Sequence, residues 1–216
     1  MRLLLLDCDG VLVRSERANV AYYNHLFRHF GLPAVDETDR EAVGLLHTLS
    51  TPQVIDRFFP PPLRGAASRY AAGVAYDRFL ECLQAEPGWD EVLARWRSRG
   101  LAAVATNRGT SARAVLAGVG LLDHLDLVLT VRDVARPKPA PDLLVEALRR
   151  LDVEPREALY VGDSELDRQA AEAAGVLFLG FRTPRPPSAG SPREVEKHLD
   201  SLARGRVFDS LLPSTT

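Results

Sequence analysis

A chain of 216 residues, 46% hydrophobic and 26% charged, has enough apolar material for one sizeable core plus a smaller insertion. Its formal net charge of −2 leaves no cationic footprint for nucleic acid or an anionic membrane, and two cysteines, Cys8 and Cys82, are too few for a zinc site or a disulfide framework. The opening run Leu3 to Leu6 is far too short to span a bilayer, and Arg2 leads straight into a strand, so the chain reads as cytoplasmic, with no obligate protein partner indicated.

Leu3 to Leu6 reads as a buried strand that ends at Asp7-Cys8-Asp9-Gly10-Val11. Residues i and i+2 of a strand point to one side, so Asp7 and Asp9 can converge on one ligand once the chain turns at Gly10. Carboxylates this close repel, and a divalent cation neutralises them well. Cys8 between them reads as a small packing residue. From Arg14 to Ala85 the spacing is helical: Ala18, Tyr22, Leu26 and Phe30 form one stripe, ended by Gly31 and Pro33, and the pattern breaks again at Pro60-Pro61-Pro62. About 95 residues before the next strand exceed what one crossover needs. The expected division is therefore 1–13 with 86–216 as an α/β core and 14–85 as a helical insertion overhanging the aspartates as a lid.

A helix holding Val92, Leu93 and Trp96 is closed by Gly100, and a second strand, Ala102 to Ala105, runs into Thr106-Asn107. A helix through Ser111, Val115, Leu116 and Val119 leads to a third strand, Leu127 to Val131, followed by Pro137-Lys138-Pro139. Leu143, Leu144, Ala147, Leu148 and Leu151 mark the next helix; the fourth strand, Ala158 to Val161, ends in Gly162-Asp163-Ser164, and the fifth is Val176 to Phe181. Arg182 to Arg193, rich in Pro, Ser and Arg, reads as a surface loop. Strands alternating with helices predict a doubly wound parallel sheet, whose ligands sit beyond the carboxyl ends of the strands. Those ends carry acids, a hydroxyl, an amide and a cation, the set that phosphoryl transfer to a carboxylate requires. Lys138 is notable because only two of the 27 cationic residues are lysine, the other being Lys197.

Asp7-Cys8-Asp9-Gly10-Val11, Thr106-Asn107, Lys138 with Pro139-Ala140-Pro141-Asp142, and Gly162-Asp163-Ser164-Glu165-Leu166-Asp167 resemble the four ordered motifs of the haloacid dehalogenase-like hydrolase superfamily, in its phosphoglycolate phosphatase-like branch. The resemblance implies a sheet ordered 3-2-1-4-5 with an inserted helical cap, and an Mg²⁺-dependent phosphatase acting on a small phosphorylated substrate. It implies Asp7 as nucleophile, Asp9 as general acid and base, and Thr106, Asn107 and Lys138 on the phosphate. Mg²⁺ would be held by the side chains of Asp7 and Asp163 and the backbone carbonyl of Asp9. Asp167 either acts behind the metal ligands or caps its helix with Ser164. Val11 departs from the commonest form of the first motif, which has Thr.

Other activities fit less well. A carbon–chlorine dehalogenase needs no acid for an alcohol and would not explain Asp9. A phosphonatase needs a lysine in the insertion, and Arg14 to Ala85 has none. A sugar phosphomutase would carry histidine where this chain has Asn19, and a receiver-like signalling domain would not carry the insertion. His25 and His29, four apart without an intervening glutamate, read as packing residues. His47, Thr48 and Ser50, in the break after Gly44, are the polar candidates for substrate selection.

Overall fold

The structure, a computed structural model, describes residues 1–49 and 51–204, apart from the side chains of Thr48, Asp77 and Leu80. The chain begins with β1 (Leu3–Leu6) and the two-residue β2 (Val13–Arg14), then four helices: α1 (Glu16–His29), α2 (Arg40–Thr48), α3 (Thr51–Phe58) and α4 (Pro61–Gly73). A short β3 (Gln84–Ala85) pairs with β2, and α5 (Trp89–Trp96) precedes β4 (Leu101–Ala105). After these come α6 (Ala112–Gly118), β5 (Leu127–Leu129), α7 (Asp142–Leu151), β6 (Ala158–Gly162), α8 (Glu165–Ala174), β7 (Leu177–Phe181), β8 (Ser188–Ala189) and α9 (Pro192–Ala203).

Two compact units result, one made of Met1–Val13 with the chain from Ala85 onward, the other of Arg14–Gln84. The first contains a six-stranded sheet in the order β5-β4-β1-β6-β7-β8, every neighbouring pair parallel. Its first five strands follow the 3-2-1-4-5 order. All four leucines of β1 are fully buried, as a strand covered on both faces requires. Leu3 and Leu5 pack with Ala103, Tyr160 and the apolar stripes of α7 and α8, each such side chain worth about 1.5–3 kcal/mol of burial.

The second unit is held by α1, whose Tyr22, Leu26 and Phe27 are buried. His25 Nε2 lies 2.9 Å from the Tyr70 hydroxyl, and the His29 ring stacks on Tyr70 at 3.7 Å, so both histidines pack as expected.

Three local readings are corrected. The third strand stops at Leu129, because Asp133 accepts from the backbone and hydroxyl of Thr130 and turns the chain there. The segment 182–193 is no simple loop: Gly180 N–H donates to Pro187 O and Arg182 N–H to Ala189 O, adding β8 to the sheet, and α9 begins at Pro192. Finally, Gly100 does not cap α5, which ends at Trp96. A Cβ at 100 would stand 2.7 Å from Arg2 O and 2.8 Å from the Trp96 ring, so glycine is there for close approach. Among the described residues no helix is long and apolar enough to cross a membrane.

Candidate active site

The site is built on the carboxyl edge of the sheet. Leu6 pairs with Val104 on one side and Val161 on the other, so Asp7 leaves the central strand level with Ala105 and Gly162, and its N–H still donates to Val161 O at 3.0 Å. The chain then folds back tightly, with Leu12 and Val13 N–H groups both on Cys8 O and Gly10 at φ +75°. At Gly10 a Cβ would collide with the Asp163 carboxylate. Glycine thus serves two needs, the left-handed turn and the approach of the second acid. Val11 at the turn is fully buried, and its carbonyl accepts from Trp89 Nε1.

Lys138 reaches Asp7 from the loop after β5. Its Nζ stands 2.9 Å from Asp7 Oδ1, 2.6 Å from Asp167 Oδ1 and 2.8 Å from the Tyr160 hydroxyl, with 3% of the side chain exposed. The ammonium donates to Asp167 and Tyr160, while Asp7 Oδ1, buried without a hydrogen bond, is held as its ion-pair partner. Asn107 fixes the backbone behind it, donating from Nδ2 to Lys138 O at 3.0 Å and accepting Lys138 N–H on Oδ1 at 2.9 Å. Tyr160, unmarked in the sequence reading, stands 3.1 Å from Ala105 O and 2.8 Å from Asp167 Oδ1. Thr106 is buried, and its hydroxyl accepts Arg108 N–H.

Asp167 does two jobs. Its Oδ2 accepts from the backbone and hydroxyl of Ser164 while its own N–H donates to Ser164 Oγ, completing the capping box of α8. Its Oδ1 anchors Lys138 and Tyr160. Burial alone would raise its pKa, but the Lys138 charge and these hydrogen bonds outweigh it and hold the carboxyl below its usual value. The other two acids shift the opposite way. Burial, reinforced by the Asp167 and Asp9 charges and opposed by Lys138, pushes Asp7 up to about 7. Burial with the Asp7 and Asp167 charges pushes Asp163 up to about 8. Lys138 moves up, because the two carboxylates beside it outweigh its desolvation.

Asp7, Asp163 and Asp167 each offer a carboxylate oxygen within 4.8 Å of the others. Three carboxylates facing one ammonium leave uncompensated negative charge, and an all-oxygen donor set suits a hard divalent cation such as Mg²⁺. The residues therefore fit the metal. Since both oxygens of Asp167 are already engaged, Asp7 and Asp163 are better placed to ligate. Gly10→Ala is expected to weaken Mg²⁺ by about 10–100-fold by displacing Asp163, as read from the Mg²⁺ dependence of activity; an unchanged half-saturating concentration would contradict this geometry.

The Asp9 side chain is engaged elsewhere. Arg108 grips it with two parallel hydrogen bonds, Nε to Oδ2 at 2.9 Å and Nη2 to Oδ1 at 2.6 Å, and also donates from Nη1 to Ser111 Oγ at 3.2 Å. Sequence reasoning passed over Arg108. The available signal was its place directly after Thr106-Asn107, in the loop that leaves β4, the strand beside β1. In the second unit His47 Nδ1 lies 3.2 Å from Asn19 Nδ2, and Tyr76 donates to Asn19 Oδ1 at 2.8 Å. The expected break after Gly44 is absent, because α2 runs unbroken from Arg40 to Thr48 and carries His47 and Thr48; the Thr48 side chain is not described, and Ser50 lies outside the described residues.

Known proteins resemble this chain over most of its length. The family model for haloacid dehalogenase-like hydrolases matches residues 4–181. A phosphoglycolate phosphatase of Rhodobacter capsulatus is 35% identical over 219 residues, covering 94% of this chain and 95% of that one. Validoxylamine A 7'-phosphate phosphatase of Streptomyces hygroscopicus is 27% identical over 196 residues, covering 90% and 92%. Among solved structures, a subfamily IA hydrolase of the same superfamily from Geobacter sulfurreducens superposes with a TM-score of 0.82 at 35% identity, covering 92% of this chain and 96% of that one. With the four motifs gathered at one sheet edge and the family model spanning core and insertion alike, the chain belongs to the haloacid dehalogenase-like hydrolases.

Proposed function

We propose that this hydrolase is an Mg²⁺-dependent phosphatase that cleaves a small phosphorylated metabolite, a phosphoglycolate- or sugar-phosphate-like monoester, through an aspartyl phosphate on Asp7. The observation that carries the reading is the Asp7 carboxylate at the end of the central strand, 2.9 Å from a buried ammonium and beside Asp163. Its oxygen attacks phosphorus, the P–O bond to the leaving alcohol breaks, and Asp9 gives that oxygen a proton. Water then attacks phosphorus, Asp9 takes its proton, and inorganic phosphate departs with Asp7 restored. Lys138 offsets charge on nucleophile and phosphate, Thr106 donates to phosphoryl oxygens, and Asn107, whose amide positions Lys138, shares that edge of the site. Bound at Asp7, Asp163 and the Asp9 carbonyl, Mg²⁺ would screen the repulsion between carboxylate and phosphate dianion. The helical insertion, 14–85, is assigned the choice of substrate, with His47, Thr48 and Ser50 as its candidates, and the setting is cytoplasmic. A mutase is the weaker reading, since the Asn19 amide, held by Tyr76 and His47, does not transfer protons.

Phosphate release from an aryl phosphate is expected to vanish in excess chelator and return with added Mg²⁺. Full activity in chelator would remove the mechanism.

A further inference from the structure

Tyr160 carries a polar atom that the proposed chemistry does not use. Its ring lies in the core of the first unit with Leu3, Leu5 and the apolar stripes of α7 and α8, tilted against Phe178 and fully buried. Leu5 pairs with Tyr160 on one side and with Ala103 on the other, yet the hydroxyl reaches Ala105 O, nearer the carboxyl edge. The ring therefore leans along its strand and delivers an oxygen to the floor of the site. Phenylalanine would fill the same apolar space, so the oxygen needs a reason of its own.

That oxygen closes a triangle with Lys138 Nζ and Asp167 Oδ1, whose sides are 2.8, 2.6 and 2.8 Å. Burial, with the Asp167 and Asp7 charges beside it, pushes the tyrosine pKa well up. The hydroxyl thus keeps its proton for Asp167 or Ala105 O and turns a lone pair to the ammonium. Two of the three N–H groups of Lys138 are taken in this way. The third is left for Asp7 Oδ1, at 2.9 Å, or for a phosphoryl oxygen brought beside it. Lysine has a flexible stem and an ammonium that turns freely, and its shortest ion pair here is with Asp167, which performs no step of the proposed reaction. Asp167 alone would hold the charge in place without fixing its direction.

We propose that Tyr160 is a positioning residue for phosphoryl transfer: together with Asp167, its hydroxyl sets the direction of the Lys138 ammonium, so that the remaining N–H serves Asp7 and the phosphoryl group. Tyr160 acts wholly through Lys138. An ammonium aligned before the substrate arrives needs no rearrangement as charge develops on the phosphoryl oxygens. This deepens the phosphatase reading and rests on it.

The test is a double-mutant cycle of Tyr160→Phe with Lys138→Ala, read on an aryl phosphate with excess Mg²⁺ and referred to the folded fraction from melting curves. Tyr160→Phe keeps the ring and leaves Asp167 Oδ1 paired with Lys138, so the variant should fold. Its kcat should drop by about 10–100-fold while KM changes by less than about threefold. In the Lys138→Ala background the same substitution should cost less than about threefold, because no ammonium is left to align. Lys138→Arg, which keeps the charge without the compact shape, takes that place in the cycle if Lys138→Ala does not fold, with the same expectation. Wild-type kcat in Tyr160→Phe, or a loss carried by KM alone, would overturn the proposal and leave the hydroxyl as a core hydrogen bond. An equal loss with and without Lys138 would overturn it too, as a general disturbance of the sheet edge. No phosphate release by the wild type would overturn the phosphatase reading itself, and this inference with it.

Discussion

Asp7→Asn is expected to lower phosphate release by about 10⁴-fold or more while giving a protein that, without metal, melts no lower than the wild type. The first half follows from removing the oxygen that attacks phosphorus; an amide nitrogen in its place is not a nucleophile, and only binding and electrostatics remain. The second half follows from the charge around it. Burial, with Asp167 and Asp9 adding to it, lifts Asp7 from 3.8 to about 7. A carboxyl whose pKa is higher folded than unfolded costs stability increasingly as pH rises from about 4 through 7. Asparagine carries no charge at any of these values, and Asp167 still pairs with Lys138. Phosphate release and a melting curve in chelator at pH 7.5 check both halves. Wild-type turnover would remove the covalent mechanism, whereas a clear drop in melting temperature would show that the Lys138 pairing of Asp7 outweighs its desolvation.

Lys138→Arg should be nearly as damaging as Lys138→Ala, each costing about 10²-fold or more in kcat. Arginine is the cation this chain uses at 25 of its 27 basic positions, since only Lys138 and Lys197 are lysine. Yet here the cation sits among oxygens at 2.9, 2.6 and 2.8 Å with 3% of its side chain exposed. A guanidinium is wider, and forcing it into so packed a site costs about 1–3 kcal/mol. The two variants should part in stability: alanine strands two buried carboxylates, a loss of about 3–5 kcal/mol in urea unfolding, while arginine retains the charge. Wild-type kcat in Lys138→Arg would mean that a diffuse positive field suffices.

Much of the sheet was legible because β1, β4, β6 and β7 are short, apolar and bounded by glycines or acids. β8 was not, since two residues carry no periodicity and its pairing depends on backbone groups of Gly180 and Arg182. At the site, Asp7, Lys138 and Asp163 stood out by residue type and place. Asp167 presented two readings, and the capping one holds together with an anchor on Lys138 that no spacing could reveal. Tyr160 carried no mark, because a strand pattern shows that a ring is buried but not that its hydroxyl meets an ammonium. Arg108 was hidden by the bias that exposed Lys138: where arginine is the default, one more arginine is no signal.

The central strand has a history in synthesis as well as a place in the sheet. Leu3–Leu6 hydrogen-bond to β4, which begins at Leu101, and to β6, which begins at Ala158. At about 5–20 residues per second, the first of these partners is made some 5–20 s after β1. Through that interval four consecutive leucines exist as an unpaired strand, with Arg2 and Asp7 at either end as the charges that discourage self-association. Contacts this distant in sequence also make folding slow once the chain is complete. Asp7 therefore lies on the strand of the sheet that waits longest for its partners, and the carboxylate takes its place only after both β4 and β6 have closed on that strand.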